Sequence, residues 1–239
     1  MSRQNIYDDP RFYDGYITLR TSKNALNDIE QAAIDALLPP LPGLHVLDVG
    51  CGCGDRTIEY AERGAALVVG IDPSARMLAD AEAHDAVDYQ RAFVEDVDIE
   101  DASFDLIVAS MSLHYVENLG DLMQRMAAWL RPGGSVVASA EHPIVSCRAE
   151  HEWCSTGHHW PVDHYNETGM RQATWVVDNV VRYHRPVASW VNAVLGAGLV
   201  LTGLDEPFDP IGAGPVAAAS VRRPPLLVLR GTRPERRSH

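Results

Sequence analysis

"LDVGCGCGDRT", residues 47–57, sets three glycines and two cysteines in alternation directly behind a short apolar run. A glycine-rich turn after a strand lets a ligand approach the backbone, so three readings compete: a phosphate cradle, a metal site, or a cradle for another ligand. A dinucleotide fingerprint requires G-x-G-x-x-G, whereas Gly50, Gly52 and Gly54 give G-x-G-x-G and Asp55 stands where the third glycine belongs. Asp48 would face a pyrophosphate with like charge, and a cationic ligand suits it better. Cys51 and Cys53 have no partner pair at zinc spacing, so we expect no metal there and read both as small side chains tolerated beside glycine.

Outward from this loop, short β-branched runs alternate with amphipathic stretches, the pattern of a mostly parallel sheet wrapped by helices. The strands are "HVLDV" (45–49), "ALVVGI" (66–71), "VDYQRAF" (87–93), "FDLIVAS" (104–110) and "SVVASA" (135–140), followed by "LVLTGLDE" (199–206) and "PLLVLRGTR" (225–233). Helices are predicted over 55–64, 74–84, 119–130 and 187–198, where residues such as Leu122, Met126 and Trp129 recur at helical spacing, and over a stretch from Ala25 that ends before Pro39. Residues 207–220 read as a Gly, Pro and Ala loop. Trp129 and Trp190 belong to the core, and His45 and His84 read as structural or exposed. Asp72 ends the second strand 24 residues past Asp48, where a carboxylate can accept both hydroxyls of a ribose.

The 239 residues carry a formal net charge of -13, which repels a phosphate backbone and excludes nucleic acid as a partner. No run approaches the roughly 20 apolar residues of a membrane span, and the start has no signal-peptide core, so a cytoplasmic protein that contacts no membrane is expected. Four cysteines are too few for a disulfide framework and read as reduced thiols.

"VLDVGCGCG", "VVGIDPSARML", "FDLIVASMSLHYVEN" and "LRPGGSVVASAEHP" together resemble the class I S-adenosylmethionine-dependent methyltransferases, in the family's order and from about residue 24 to 206. The resemblance implies a Rossmann-like α/β fold: a seven-stranded, mostly parallel sheet with an antiparallel last strand and helices on both faces. One domain over 1–239 follows, with an N-terminal lid and helix (1–41), a cofactor-binding core (42–140), an inserted cap (141–186) and the end of the core sheet (187–232). It implies S-adenosyl-L-methionine as cofactor, its methionine part lined by Asp48 to Gly54 and its ribose hydroxyls on Asp72. Met77 would lie under the adenine, the Ser110 backbone would meet the ammonium, and His114 would sit near the methyl. Where relatives place an acid for the adenine amino group this chain has Phe93, leaving the Val94 amide. "YDGYITLRTSKN" (13–24) resembles the family's lid, with Tyr16 and Arg20 closing over the methionine carboxylate.

Residues 141–186 change character, with histidine-bearing clusters, three tryptophans and no clean period. We expect His114, Tyr183 and His184 to face the methyl-transfer site, with Glu141 and His142 shaping it, and Trp153, Trp160, His164, Tyr165 and Trp175 to wall the acceptor. Cys147, His151, Cys154 and His158 would line one face of a helix, but "CSTGHHWP" is a poor helix former and no metal is expected. The cap and the overall charge fit a small, neutral or cationic, aromatic metabolite. The "EHP" and "YHR" layout resembles bacterial small-molecule methyltransferases, including those of specialised metabolism, which leaves oxygen, nitrogen and carbon acceptors open, an indole carbon among them. A catalytically inactive cofactor-binding regulator and an NAD-dependent dehydrogenase are the alternatives. A homodimer packed through the cap or the N-terminal helix is compatible with the pattern.

Overall fold

Residues of the central strands alternate between two cores. Val46, Leu106, Val108, Val137 and Val228 pack on one face of a sheet, and Leu47, Ile107, Val136, Ala138 and Leu229 on the other. A strand buried on both faces has this period of two and needs apolar residues at nearly every position. The computed structural model describes residues 3–21, 25–150, 152–210, 212 and 215–235, with the side chains of Arg20 and Thr21 outside that description.

The strands in chain order are β1 (His45–Val49), β2 (Leu67–Asp72), β3 (Val87–Arg91), β4 (Phe104–Ala109), β5 (Leu130–Glu141), β6 (Gly169–Trp175), β7 (Val177–His184), β8 (Val200–Asp205) and β9 (Leu226–Thr232). The helices are α1 (Pro10–Thr21), α2 (Ala25–Leu37), α3 (Asp55–Glu62), α4 (Ala75–Ala79), α5 (Leu119–Trp129), α6 (Pro143–Ser146), α7 (Val187–Gly196) and α8 (Pro215–Arg222). Seven strands form one sheet in the order β3-β2-β1-β4-β5-β9-β8, and β9 runs antiparallel to both its neighbours. The seven-stranded sheet with an antiparallel last strand is the Rossmann-like arrangement expected. Ala33, Ile34, Tyr60 and Ala61 of α2 and α3 cover one face; Met126, Trp129, Trp190 and Val194 of α5 and α7 cover the other. The strand order reverses between β1 and β4, and a crevice opens there at the carboxyl ends of the strands. Among the described residues no helix is long and apolar enough to cross a membrane.

Three local readings need correction. The helix expected over 74–84 stops at Ala79, because Asp80, Glu82 and Asp85 would crowd negative charge onto a helix C-terminus. The loop expected over 207–220 contains α8, where Pro215 opens an alanine-rich turn. The cap holds an antiparallel hairpin, β6 with β7, in which Val180, Arg182 and His184 are buried in alternation. Its reversal passes through Val176 at φ 63°, a region that β-branched residues rarely adopt, so no turn residue marked it.

Candidate active site

All three glycines of the opening loop adopt positive φ. A Cβ on Gly50 would meet Ser112 Cβ at 2.5 Å, and one on Gly54 the Tyr89 hydroxyl at 2.2 Å. One on Gly52 would meet nothing within 4 Å and would stand in a cavity of about 730 Å³. Gly54 does not reach that cavity; its glycine lets the chain pass Tyr89 and enter α3, which corrects its expected role in ligand contact.

Asp72 Oδ1 accepts the Ser74 amide at 2.8 Å and Oδ2 the Gly52 amide at 3.0 Å. Two backbone donors fix the carboxylate's plane at the end of β2 and leave lone pairs for a ligand with vicinal hydroxyls. Burial pushes its pKa up. Asp48 accepts the Thr57 hydroxyl at 2.7 Å, and burial above all raises its pKa to about 6. Burial also raises the Cys51 thiol, which keeps it protonated and unsuited to metal. Met77, in α4 and capped by the Ser74 hydroxyl, lines the wall beside Val94 and Phe93, with Arg3 stacked 5.4 Å from the Phe93 ring.

Ser110 follows β4 on the same cavity and donates to Glu30 Oε1 at 2.6 Å, and Ser139 donates to the same oxygen. Glu30 comes from α2, and nothing in its amphipathic pattern distinguished it from a surface acid; only its place on the helix's buried stripe was a signal.

His114 is buried in the turn after β4, and its Nδ1 has no partner among the described residues. Burial lowers its pKa to about 4, so the imidazole is neutral at pH 7. Tyr115 lies beside it, ring centroids 4.3 Å apart, and shares a 3.3 Å hydroxyl contact with Tyr7. Glu141, at the end of β5, pairs with Arg182 of β7, and the guanidinium lies 5.3 Å from the Trp175 ring centroid. Tyr16 of α1 packs edge-on against Trp175 at 6.0 Å. The N-terminal strap completes the enclosure. Gln4 bonds Asn179 and Val181 of the hairpin, Asn5 the Pro73 carbonyl and Asp8 the Ser74 hydroxyl.

Thus the cavity gathers Tyr16, Asp48, Gly50, Gly52, Asp72, Met77, Val94, Ser110, His114, Glu141, Trp175 and Tyr183 from the expected set. Others are elsewhere. His184 is fully buried with Nδ1 on the Ser146 hydroxyl and Nε2 on the Tyr165 carbonyl, so it fastens the hairpin instead of facing the cavity. His142 caps α6 through Nδ1 and holds Glu206 through Nε2 at 2.8 Å. Trp153 and Trp160 pair edge-on at 5.5 Å outside the cavity lining, because Arg222 and Arg223 stack on them at 4.1 and 3.9 Å. His164 is exposed on Glu167, and the Tyr165 hydroxyl accepts the Val187 amide. The Arg20 side chain lies outside the described residues, as does His151. Of the remaining thiols considered, Cys147 donates to the Ile144 carbonyl and Cys154 contacts Thr156; no group of three His, Cys, Asp or Glu among the described residues could hold a metal. The reading of residue types missed Tyr7, Glu30, Tyr115, Arg182 and Arg223, all on the cavity.

A family model described as a methyltransferase domain matches residues 46–134. A solved S-adenosylmethionine dependent methyltransferase from Mesorhizobium loti is 35% identical, with 86% of this chain and 98% of that one covered and a TM-score of 0.81. A Haemophilus influenzae protein of uncharacterised function is 32% identical across 97% of this chain and 98% of its own. A ubiquinone biosynthesis O-methyltransferase from Nitrobacter winogradskyi is 40% identical over 104 residues, 41% of this chain and 39% of that one.

Proposed function

This chain belongs to the S-adenosylmethionine-dependent methyltransferases, and we propose that its acceptor is a small aromatic metabolite bound beneath the hairpin. The observation that carries the reading is a cavity of about 730 Å³ running from Gly52 and Asp72 to Trp175 and Arg182. That volume lies within the roughly 300–1,000 Å³ of small-molecule sites. S-adenosylmethionine, when bound, supplies a methyl group made electrophilic by its sulfonium.

The chain's residues fit that cofactor. Gly52 leaves its Cβ position open, Asp72 presents two oriented acceptors, and Glu30 and Asp48 put acidic groups around the loop. Arg56, which a pyrophosphate would need, is held by Asp35 and Glu59. In this reading Asp72 holds the ribose hydroxyls, Glu30 faces the ammonium through Ser110, and Met77, Phe93 and Val94 enclose the adenine. Tyr16, Tyr115 and Trp175 exclude water and offer flat surfaces to an aromatic acceptor. With a pKa near 4, His114 is a weak base and orients the acceptor through its unpartnered Nδ1 instead of deprotonating it. Tyr183 adds a hydroxyl to the same cavity lining.

The O-methyltransferase name of the Nitrobacter relative makes oxygen the first acceptor atom to try. A net charge of -13 supports a metabolite over nucleic acid, and four free thiols support a reducing cytoplasm; specialised metabolism is the setting we assign. Incubation with S-adenosylmethionine and a library of small aromatic metabolites, with S-adenosylhomocysteine release as readout, tests the proposal. Release with an aromatic member is expected; release confined to aliphatic or macromolecular acceptors would overturn it.

A further inference from the structure

Arg223 follows α8 and reaches the cavity wall with its guanidinium stacked 3.9 Å from the Trp160 ring centroid and 5.9 Å from that of Trp153. It has no hydrogen-bond or ion-pair partner for that group among the described residues, and its Nε is buried without an acceptor. The residue as a whole is half-buried, but a buried N–H donor left without an acceptor is costly, and an anion in the cavity would satisfy it. Arg182, on the same cavity, spends one arm on Glu141, yet its Nε is also buried and unpartnered. The Glu141 charge acts on both guanidiniums, so Arg182 and Arg223 share that carboxylate, in a chain whose overall charge is -13. Burial lowers the pKa of Arg223, and Glu141 offsets only part of that shift.

We infer that the acceptor carries a carboxylate, seated on Arg223 with Arg182 beside it. The inference rests on the reading that the acceptor occupies this cavity, and it reverses the neutral or cationic charge expected from the overall composition. The tryptophan rings hold the guanidinium plane in place, as bidentate recognition of a planar carboxylate demands.

The test is titration calorimetry in saturating S-adenosylhomocysteine with three pairs matched in shape but not in charge: benzoate and benzamide, 4-hydroxybenzoate and 4-hydroxybenzamide, butyrate and butyramide. Wild type should bind the carboxylate of at least one pair roughly tenfold or more tightly than its amide, since a hydrogen bond to a charged group contributes about 1.5–3 kcal/mol. Arg223→Met should abolish the preference while S-adenosylhomocysteine binding stays within about twofold, and Arg223→Lys, which keeps the charge, should retain part of it. No preference in any pair, or a preference that survives Arg223→Met, overturns the inference. Phenyl phosphate bound more tightly than every carboxylate would overturn the carboxylate assignment. A preference confined to butyrate would uphold the anion seat and reject the aromatic acceptor, and failure of wild type to bind S-adenosylhomocysteine would instead count against the cofactor reading.

Discussion

The two ends of the cavity are built differently. At the glycine-loop end, backbone atoms do the work: the Gly50 and Cys51 amides bond the Ile71 carbonyl, and the Gly52 and Ser74 amides hold Asp72. All of it lies within residues 48–77. At the cap end the wall is side chains drawn from Tyr7 to Arg223, joined by ring edges, guanidinium stacking and the Glu141–Arg182 pair. The first end is fixed by backbone geometry that only particular residues can adopt. The second can be rewritten one side chain at a time, which is how a shared fold serves different acceptors.

Burial drives one titrating group at each end in opposite directions, and the largest expected effect separates them. Asp48 has its pKa raised to about 6 in the folded chain, so its stabilising contribution is full below the unfolded value near 3.8 and is lost as pH rises through 6. His114 has its pKa lowered to about 4, so its contribution is full above the unfolded 6.5 and is lost as pH falls through 4. Each shift amounts to about 3 kcal/mol at 1.36 kcal/mol per unit. Urea unfolding between pH 4 and 8 should therefore show Asp48→Asn gaining on wild type as pH rises and His114→Gln gaining as pH falls. Parallel curves for either variant would break the contrast.

Next in size is Asp72→Ala. Loss of two hydrogen bonds from a carboxylate to the ribose, about 2–3 kcal/mol, should weaken S-adenosylhomocysteine binding roughly 30- to 150-fold by calorimetry. A change below about threefold would show that the loop end holds the cofactor by other groups. The smallest effect is Gly52→Ala. Its φ of +58° costs an L-residue about 1–2 kcal/mol of stability, and the new methyl enters the cavity, so affinity for S-adenosylhomocysteine should fall about fivefold or more. Unchanged affinity would place the ligand away from Gly52.

The same contrast explains what the sequence could reveal. The loop end was legible because its chemistry is local: G-x-G-x-G, Asp48 and Asp72 sit at fixed distances along two adjacent parallel strands, β1 and β2, whose period is visible. Trp175 was found from residue type, but Trp153 and Trp160 were not distinguishable from it, because Arg222 and Arg223, more than 60 residues later, decide where those rings go. His184 had the motif position of a base, yet its neighbours Ser146 and Tyr165 claim both nitrogens. The hairpin was hidden because its turn uses valine at positive φ. Glu30 and Arg182 belong to no motif, and tertiary contacts alone bury them.

The most direct measurement is a crystal structure with S-adenosylhomocysteine bound. The nucleoside should lie between Met77 and Phe93 with its ribose hydroxyls on Asp72, and the sulfur should point toward His114 and the Glu141–Arg182 pair under the hairpin. A sulfur directed away from that wall, or a ligand outside the cavity of Gly52 and Asp72, would contradict the assignment of one cavity to both cofactor and acceptor.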